Sequence, residues 1–455
     1  MPVDDGVLKG HHAIFSRLWR NVGWLLGGQG LAGLFGLLFL AIAARSLGPA
    51  RFGLFVIALT YAQFFSNISH FESWKGVIRF GALHLADSRE IELSRLLGFT
   101  ATLDWASAIS GAAIAIVAAF LVGPLINWPV ELQRQAAVFA AILIVASGGT
   151  PTGILRLFNR FDLLAYTEAF APLSRFLIAI IAWLLGGGVS AFLAAWALGA
   201  MLQLLAIWVA ALTVHRGRLA LGLRSFRAAG HENHGLWNFM WRTSLSSSLR
   251  YISMQAGTLA VGSVAGPTTA GGFRLADRIA TATTKPSEQL ARVIYPELAH
   301  LVASNDRELL RRLLVRSALI SLTFAVVVVG LCVGAGGFIL RVVAGPQFTF
   351  AQPFLAILAI AAAIELSGFV LEPWHNAHGG AAIILRARIA GAAIYALLLM
   401  VLLPLVGALG AAAAAVASSA AIVGVLAVAA FRMLNSDPAR AQATREEAII
   451  GTDSA

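Results

Sequence analysis

Apolar residues run through this chain in long blocks separated by short polar clusters. A helix that crosses a bilayer needs about 20 apolar residues. Twelve blocks approach or exceed that length, at 21–44, 53–74, 97–122, 135–155, 164–186, 190–213, 238–262, 268–291, 315–340, 351–374, 389–406 and 409–431. The pattern predicts an all-α membrane protein of about 12 transmembrane helices. Two polar stretches stand apart from the short connections: 215–237, midway along the chain, and 434–455, a tail containing Pro438 that is expected to be disordered.

The blocks repeat. LGPARFGLF (Leu47 to Phe55) follows the first, and AGPTTAGGF (Ala265 to Phe273) follows the seventh, so that Gly, Pro, Gly and Phe coincide at a constant offset of 218. Gly123-Pro124 after the third block recurs as Gly345-Pro346 after the ninth, at offset 222. Gly-Pro is a common turn pair, but two matches at nearly one offset point to duplication. The offset equals six spans, an even number, so both halves enter the membrane from the same side. The expected organisation is two parallel six-helix lobes, 1–214 and 238–433, joined by a cytoplasmic linker at 215–237 and followed by a cytoplasmic tail at 434–455.

Composition agrees with this layout and narrows it. Of the 455 residues, 59% are hydrophobic and 12% charged, far from the roughly 25% charged residues of a soluble domain. A cytosolic enzyme, a secreted disulfide scaffold and a disordered protein are excluded. The single cysteine, Cys332, has no intramolecular partner. The net charge of +11 is compatible with nucleic acid, but 24 of the 33 Lys and Arg fall in alternate connections or within five residues of them, and only Arg45, Arg51, Arg134 and Arg341 on the other side. That asymmetry predicts an N-in, C-in protein of a cytoplasmic membrane with no nucleic-acid partner. The first apolar run meets Arg45 rather than a small-residue cleavage site, so it is expected to remain as a span.

Five cations fall deeper inside spans: Arg175, Arg250, Arg274, Arg278 and Lys285. A charge at mid-span costs about 2.5–3.5 kcal/mol on insertion scales, so each needs a partner or a wet cavity. The eighth span carries Arg274, Arg278 and Lys285 on one face, with Asp277 and Glu288 on the adjacent stripe. Pro286 predicts a kink or break near Lys285. Arg250 on the seventh span is an expected neighbour. In one reading Arg250, Arg274, Arg278 and Lys285 line a cavity and hold an anionic substrate group, because guanidinium forks bind phosphate bidentately. In the other, Arg274–Asp277 and Lys285–Glu288 neutralise one another. Arg175 and Asp104 are candidates for a cavity in the N-terminal lobe, with Asp104 either the partner of Arg175 or a satisfied polar residue. Glu365 has no basic residue within a turn. With Asp277 and Glu288 it is a candidate for ion coupling, against the alternative of a protonated acid bonded to a backbone carbonyl.

No catalytic constellation emerges. The histidine pairs 11 and 12, 231 and 234, and 375 and 378 lack the acid or cysteine partners of a metal site. Walker, nucleophile-elbow and zincin motifs are missing. No cofactor, metal or enzymatic activity is expected.

The opening NVGWLLGGQGLAGLFGLLFLAIAARSLGPARFGLF resembles the first span and loop of bacterial polysaccharide-biosynthesis membrane proteins. These are the oligosaccharide flippases of the multidrug/oligosaccharidyl-lipid/polysaccharide exporter superfamily. QLARVIYPELAHLVASNDRELLRRLL (Gln289 to Leu314) is similar to the end of that family's eighth span. GILRLFNRFDLLAYTE is similar to its loop after the fourth. The resemblance implies a two-lobed carrier that moves a polyprenyl-diphosphate-linked glycan across the bacterial inner membrane by alternating access. It also implies contact with membrane lipid and with glycan polymerases or glycosyltransferases. Lipid II flippases of the superfamily usually have fourteen spans, against twelve here. Its cation-coupled drug exporters usually place acids in the N-terminal lobe, whereas the first span here has none. Drug export, and a membrane scaffold that transports nothing, are the alternatives.

Overall fold

The structure, a computed structural model, describes residues 5–126, 128–215, 219–221, 223–285, 298, 307–378 and 380–435. The described residues form helices joined by short turns, with no strand among them. In chain order these are α1 (Asp5–Ser69), α2 (Ser73–Ala86), α3 (Glu90–Val122), α4 (Val130–Val145), α5 (Thr150–Leu157), α6 (Phe161–Leu184), α7 (Val189–Val214), α8 (Leu223–Glu232) and α9 (Leu236–Ala282). Then come α10 (Arg307–Gly334), α11 (Gly336–Ala344), α12 (Gln352–Ser367), α13 (Leu371–Ala377), α14 (Ala381–Val406) and α15 (Ala408–Asn435). Nine helical stretches among the described residues are long and apolar enough to cross a membrane. The first of them, Gly30–Ala86, contains the second expected span and most of the first. The expected seventh span and the eighth as far as Ala282 lie on α9, where Arg242, Arg250, Arg274, Asp277 and Arg278 dilute the apolar runs; residues 286–291 of the eighth lie outside the described residues.

Both long helices turn at a repeated motif. Gly48 interrupts α1 at φ 68°, ψ 172°, and Gly266 interrupts α9 at φ 82°, ψ 170°. This corner of backbone space is essentially closed to residues with a Cβ, and the following prolines, Pro49 and Pro267, hold the preceding residue extended. The duplication read from the letters is therefore a duplication of backbone geometry. The second pair matches less closely. Pro124 and Pro346 each open a 3-10 turn, but Gly345 has φ 102° while Gly123 is helical at φ −50°.

Several boundaries differ from expectation. Helices α2 and α3 carry Lys75, Arg79 and Arg95 on regular helix, and Arg156 lies on α5, where connections were expected. Charge ends an apolar run but not a helix, since Lys and Arg are good helix formers. The second and fourth expected spans also break internally, at 70–72 and 146–149, and the tenth at 368–370. Helix α4 ends at Val145 and α12 at Ser367. These ends are 222 residues apart, the offset of the second Gly-Pro pair.

The chain divides into two compact units, Met1–Arg274 with Arg341–Phe348, and Leu275–Leu340 with Thr349–Ala455. In the first, α1 packs on α4 and α6, α3 on α4, and α6 on α7. Its core joins Phe39, Phe55 and Trp196 with many alanines of negligible exposure. Small residues permit the close approach that helices in lipid depend on. Gly53 and Gly271, equivalent in the repeat, meet there: a Cβ on Gly271 would lie 3.0 Å from the Gly53 Cα. The amphipathic α8 docks on α3 through stacked Phe226 and Phe99, ring centroids 4.3 Å apart. The second unit packs α14 on α15, and α12 on both α10 and α15.

Candidate functional site

In the first unit Asp104 sits on α3 at the point where two broken helices begin again. Its carboxyl group is buried. One oxygen accepts from the Ser73 hydroxyl at the start of α2. The other accepts from the Gly149 N–H at 3.2 Å, the Thr150 N–H at 2.8 Å and the Thr150 hydroxyl at 2.6 Å, at the start of α5. The first N–H groups of a helix have no intrahelical acceptor, and here a side chain from a third helix supplies one. No ion pair joins Asp104 to Arg175 among the described residues. Arg175 instead lies over the Trp196 ring, 4.5 Å from its centroid, with its Nε buried and lacking a hydrogen-bond partner. Of the two alternatives read from sequence, Asp104 takes that of a satisfied polar residue. Asp104 closes its valences on main chain and hydroxyls, and Arg175 finds an aromatic face.

Arg274, at the edge of the same unit, donates to the Gln63 side-chain oxygen at 3.3 Å. The Gln255 amide donates to that oxygen too, at 3.2 Å, while the Gln255 carbonyl oxygen is buried without a partner. A polar focus from α1 and both halves of α9 thus forms inside apolar helices. Sequence reading identified Arg274 but not the two glutamines, whose uncharged side chains do not mark them out in a hydropathy trace.

A further cluster in this unit was also missed. Trp74 follows the break at 70–72 and receives two cations, Arg156 at 4.2 Å and Lys75 at 5.4 Å from its ring centroid. The Trp74 indole N–H donates to Glu72, which pairs with Lys75 at 3.4 Å. The Ser244 hydroxyl accepts from the Glu72 N–H at 3.0 Å. Of these residues only Lys75 and Arg156 fall in expected connections; Glu72 and Trp74 belong to the expected second span and Ser244 to the seventh.

In the second unit Asp277 is half-buried, and Arg278 and Lys285, farther along the expected eighth span, are exposed. The threonines between the acids bond back to their own main chain. Thr281 donates to the Asp277 carbonyl at 2.8 Å and Thr284 to the Thr281 carbonyl at 2.9 Å. The helix gives way to a turn at Thr283–Thr284, just before Lys285, close to where Pro286 predicted a break. Glu365 on α12 accepts from the Ser419 hydroxyl of α15 at 2.9 Å. The charges of Arg388, Asp277 and Glu372 act on it through space. Arg388 itself pairs with Glu372 at 2.7 Å. The structure thus brings Asp277 and Glu365 into one electrostatic neighbourhood and gives Glu365 a hydroxyl donor. The side chain of Arg250 and all of Glu288 lie outside the described residues.

This fold and these residues can be set beside known proteins. The family model for polysaccharide biosynthesis proteins matches residues 18–302. The inner membrane protein YghQ of Escherichia coli K12 is 30% identical over 294 residues, covering 63% of this chain and 81% of that protein. Among solved structures, an inward-facing multidrug resistance MATE family transporter of the MOP superfamily superposes with a TM-score of 0.68 at 16% identity, over 88% of this chain and 94% of that one. The lipid II flippase MurJ in an inward closed conformation gives 0.69 at 14% identity, over 92% and 88%. At such identity these two likenesses speak for the fold alone. The chain belongs to the polysaccharide biosynthesis protein family and is a multi-pass inner-membrane protein with the fold shared by exporters and flippases.

Proposed function

We propose that the protein translocates a polyprenyl-diphosphate-linked oligosaccharide across the inner membrane by alternating access, for the synthesis of a surface polysaccharide. The observation that carries this reading is the density of cations along the expected eighth span, Arg274, Arg278 and Lys285, within a chain of this family. Cations embedded in a membrane protein are stabilised by anions, and a diphosphate with a hydrated glycan suits guanidinium forks in a wet cavity. The polyprenyl tail can stay in lipid throughout.

The layout proposed with it has twelve crossings, N-in and C-in, with lobes at 1–214 and 238–433, a linker at 215–237 and a tail at 434–455. The matched turns at Gly48 and Gly266 support that duplication. Arg250, Arg274, Arg278 and Lys285 hold the headgroup, and Asp277, Glu288 and Glu365 are the carboxylates for any coupled ion. No covalent step is involved, so the protein is a carrier and not an enzyme. Glycan polymerases or glycosyltransferases of the same assembly line are its expected partners.

Deleting the gene in its host is expected to trap lipid-linked saccharide on the cytoplasmic face. Wild type restores export. Arg278→Ala with Lys285→Ala, present in the membrane at normal level, is expected to restore it at least tenfold less well, since a hydrogen bond to a charged group contributes about 1.5–3 kcal/mol. Full rescue by the pair would sink the cationic site. Absence of any accumulation would sink the substrate and turn attention to drug export or scaffolding.

A further inference from the structure

A second site lies in the first unit, lined by none of the side chains assigned to the headgroup or to ion coupling. Arg51, Glu131 and Gln135 surround a cleft of about 250 Å³ whose apolar walls include Leu54, Leu132 and Val189. Its polar groups are arranged in advance. The Gln135 amide donates to Glu131 at 2.8 Å and to the Ser190 hydroxyl at 3.0 Å, tying α4 to the start of α7. Arg51 stands across the cleft, just after the Gly48–Pro49 turn. It forms no ion pair with Glu131 among the described residues, although both are exposed and line the same space. A guanidinium and a carboxylate that share a small cleft without closing on each other leave room for a ligand that satisfies both.

The chemistry of the lining selects among ligands. A phosphate drawn by Arg51 would be opposed by Glu131. An acyl chain would leave three polar groups desolvated and unpaired. A neutral pyranose ring fits on each count. Its hydroxyls donate to the carboxylate and accept from the guanidinium, and its C–H face rests on leucine and valine. The volume lies below the roughly 300–1,000 Å³ of pockets for drug-sized molecules and suits one ring. By the Lys and Arg asymmetry this cleft opens on the side opposite the basic connections, the outer face.

We infer that the Arg51–Glu131–Gln135 cleft is a saccharide subsite that takes one ring of the glycan as it leaves the carrier. The inference rests on the saccharide-export reading and adds to it a residue-level site for the sugar rather than the diphosphate.

The test uses the full chain purified into lipid nanodiscs and saturation-transfer NMR with N-acetylglucosamine and galactose, with mannitol and inorganic phosphate as comparators. Transfer to the ring protons of at least one pyranose is expected, exceeding that to mannitol. Arg51→Ala and Glu131→Gln are each expected to weaken binding by about tenfold, as loss of a hydrogen bond to a charged group should. Both residues are exposed, so folding is not at stake. Absent pyranose binding, equal transfer in both variants, or displacement of the sugar by inorganic phosphate would overturn the saccharide assignment. In the deletion strain both variants are expected to export more slowly. Binding lost with export at the wild-type rate would overturn the subsite's part in export and leave the carrier standing. Sugar binding without any lipid-linked saccharide accumulating on deletion would overturn the carrier and leave a saccharide site.

Discussion

Gly53→Ala is expected to remove the folded protein from the membrane. An alanine Cβ at this position would fall 2.0 Å from the Pro267 carbonyl oxygen and 2.2 Å from its carbon. Neither atom belongs to a flexible side chain that can swing aside. The obstacle is main chain, fixed by the Gly266 turn. Ordinary overpacking of a core costs about 1–3 kcal/mol because neighbouring side chains rearrange; here the two helix turns must separate, and the cost should exceed that range. Separation would also part Gly53 from Gly271 and unseat Phe52, whose ring meets Phe348 edge-on at 5.4 Å. Gly33→Ala is the matched control, since nothing lies within 4 Å of a Cβ there and alanine is the better helix former. Membrane abundance and thermal unfolding in detergent should show near-complete loss for Gly53→Ala and no loss for Gly33→Ala. A stable, abundant Gly53→Ala protein would mean that the two copies of the motif do not touch as described.

That contact also marks what the letters alone could and could not convey. Leu47 to Phe55 and Ala265 to Phe273 align at a fixed offset, and the glycines before proline are the residues such turns require, so the duplication and its backbone form were readable. That the two copies meet was not, because a contact 218 residues apart leaves no local signal. Hydropathy placed the apolar runs well but averaged across the breaks at 70–72 and 146–149. The second of these carried a warning in Ser147-Gly148-Gly149-Thr150-Pro151. The first has neither glycine nor proline and becomes intelligible only through Asp104, thirty residues away on another helix. Lys75 and Arg156 were read as connections by their charge, yet both lie on helix against Trp74. Counting residues along the spans did single out Asp104, which is buried, and Arg175, which is half-buried. It failed on their partners, and partners decide whether such a group is structural or functional.

Asp104 is where that distinction is sharpest, and two substitutions separate the alternatives. Asp104→Ala leaves the Gly149 and Thr150 N–H groups buried without an acceptor, and an unsatisfied buried donor costs about 1–3 kcal/mol. The Ser73 and Thr150 hydroxyls can re-aim toward nearby carbonyls, as Ser73 already does toward Phe71 at 3.5 Å. A loss of roughly 3 kcal/mol is therefore expected for Asp104→Ala, enough to lower the unfolding temperature and the amount in the membrane. Asp104→Asn should be mild. Its carbonyl oxygen can keep the α5 main-chain bonds while its amide donates to the Ser73 hydroxyl, so stability and export should both stay near wild type. A carboxylate that carried a coupling ion would behave the opposite way, since asparagine would preserve the fold and abolish ion-dependent export. Thermal unfolding and rescue of the deletion strain, measured on both variants, decide the matter. An abundant, stable Asp104→Asn protein that fails to export would overturn the structural assignment. The expected pairing of an unstable alanine variant with a working asparagine variant leaves ion coupling, where it occurs, to the carboxylates of the second unit, where Asp277 acts on Glu365 and Ser419 already donates to it.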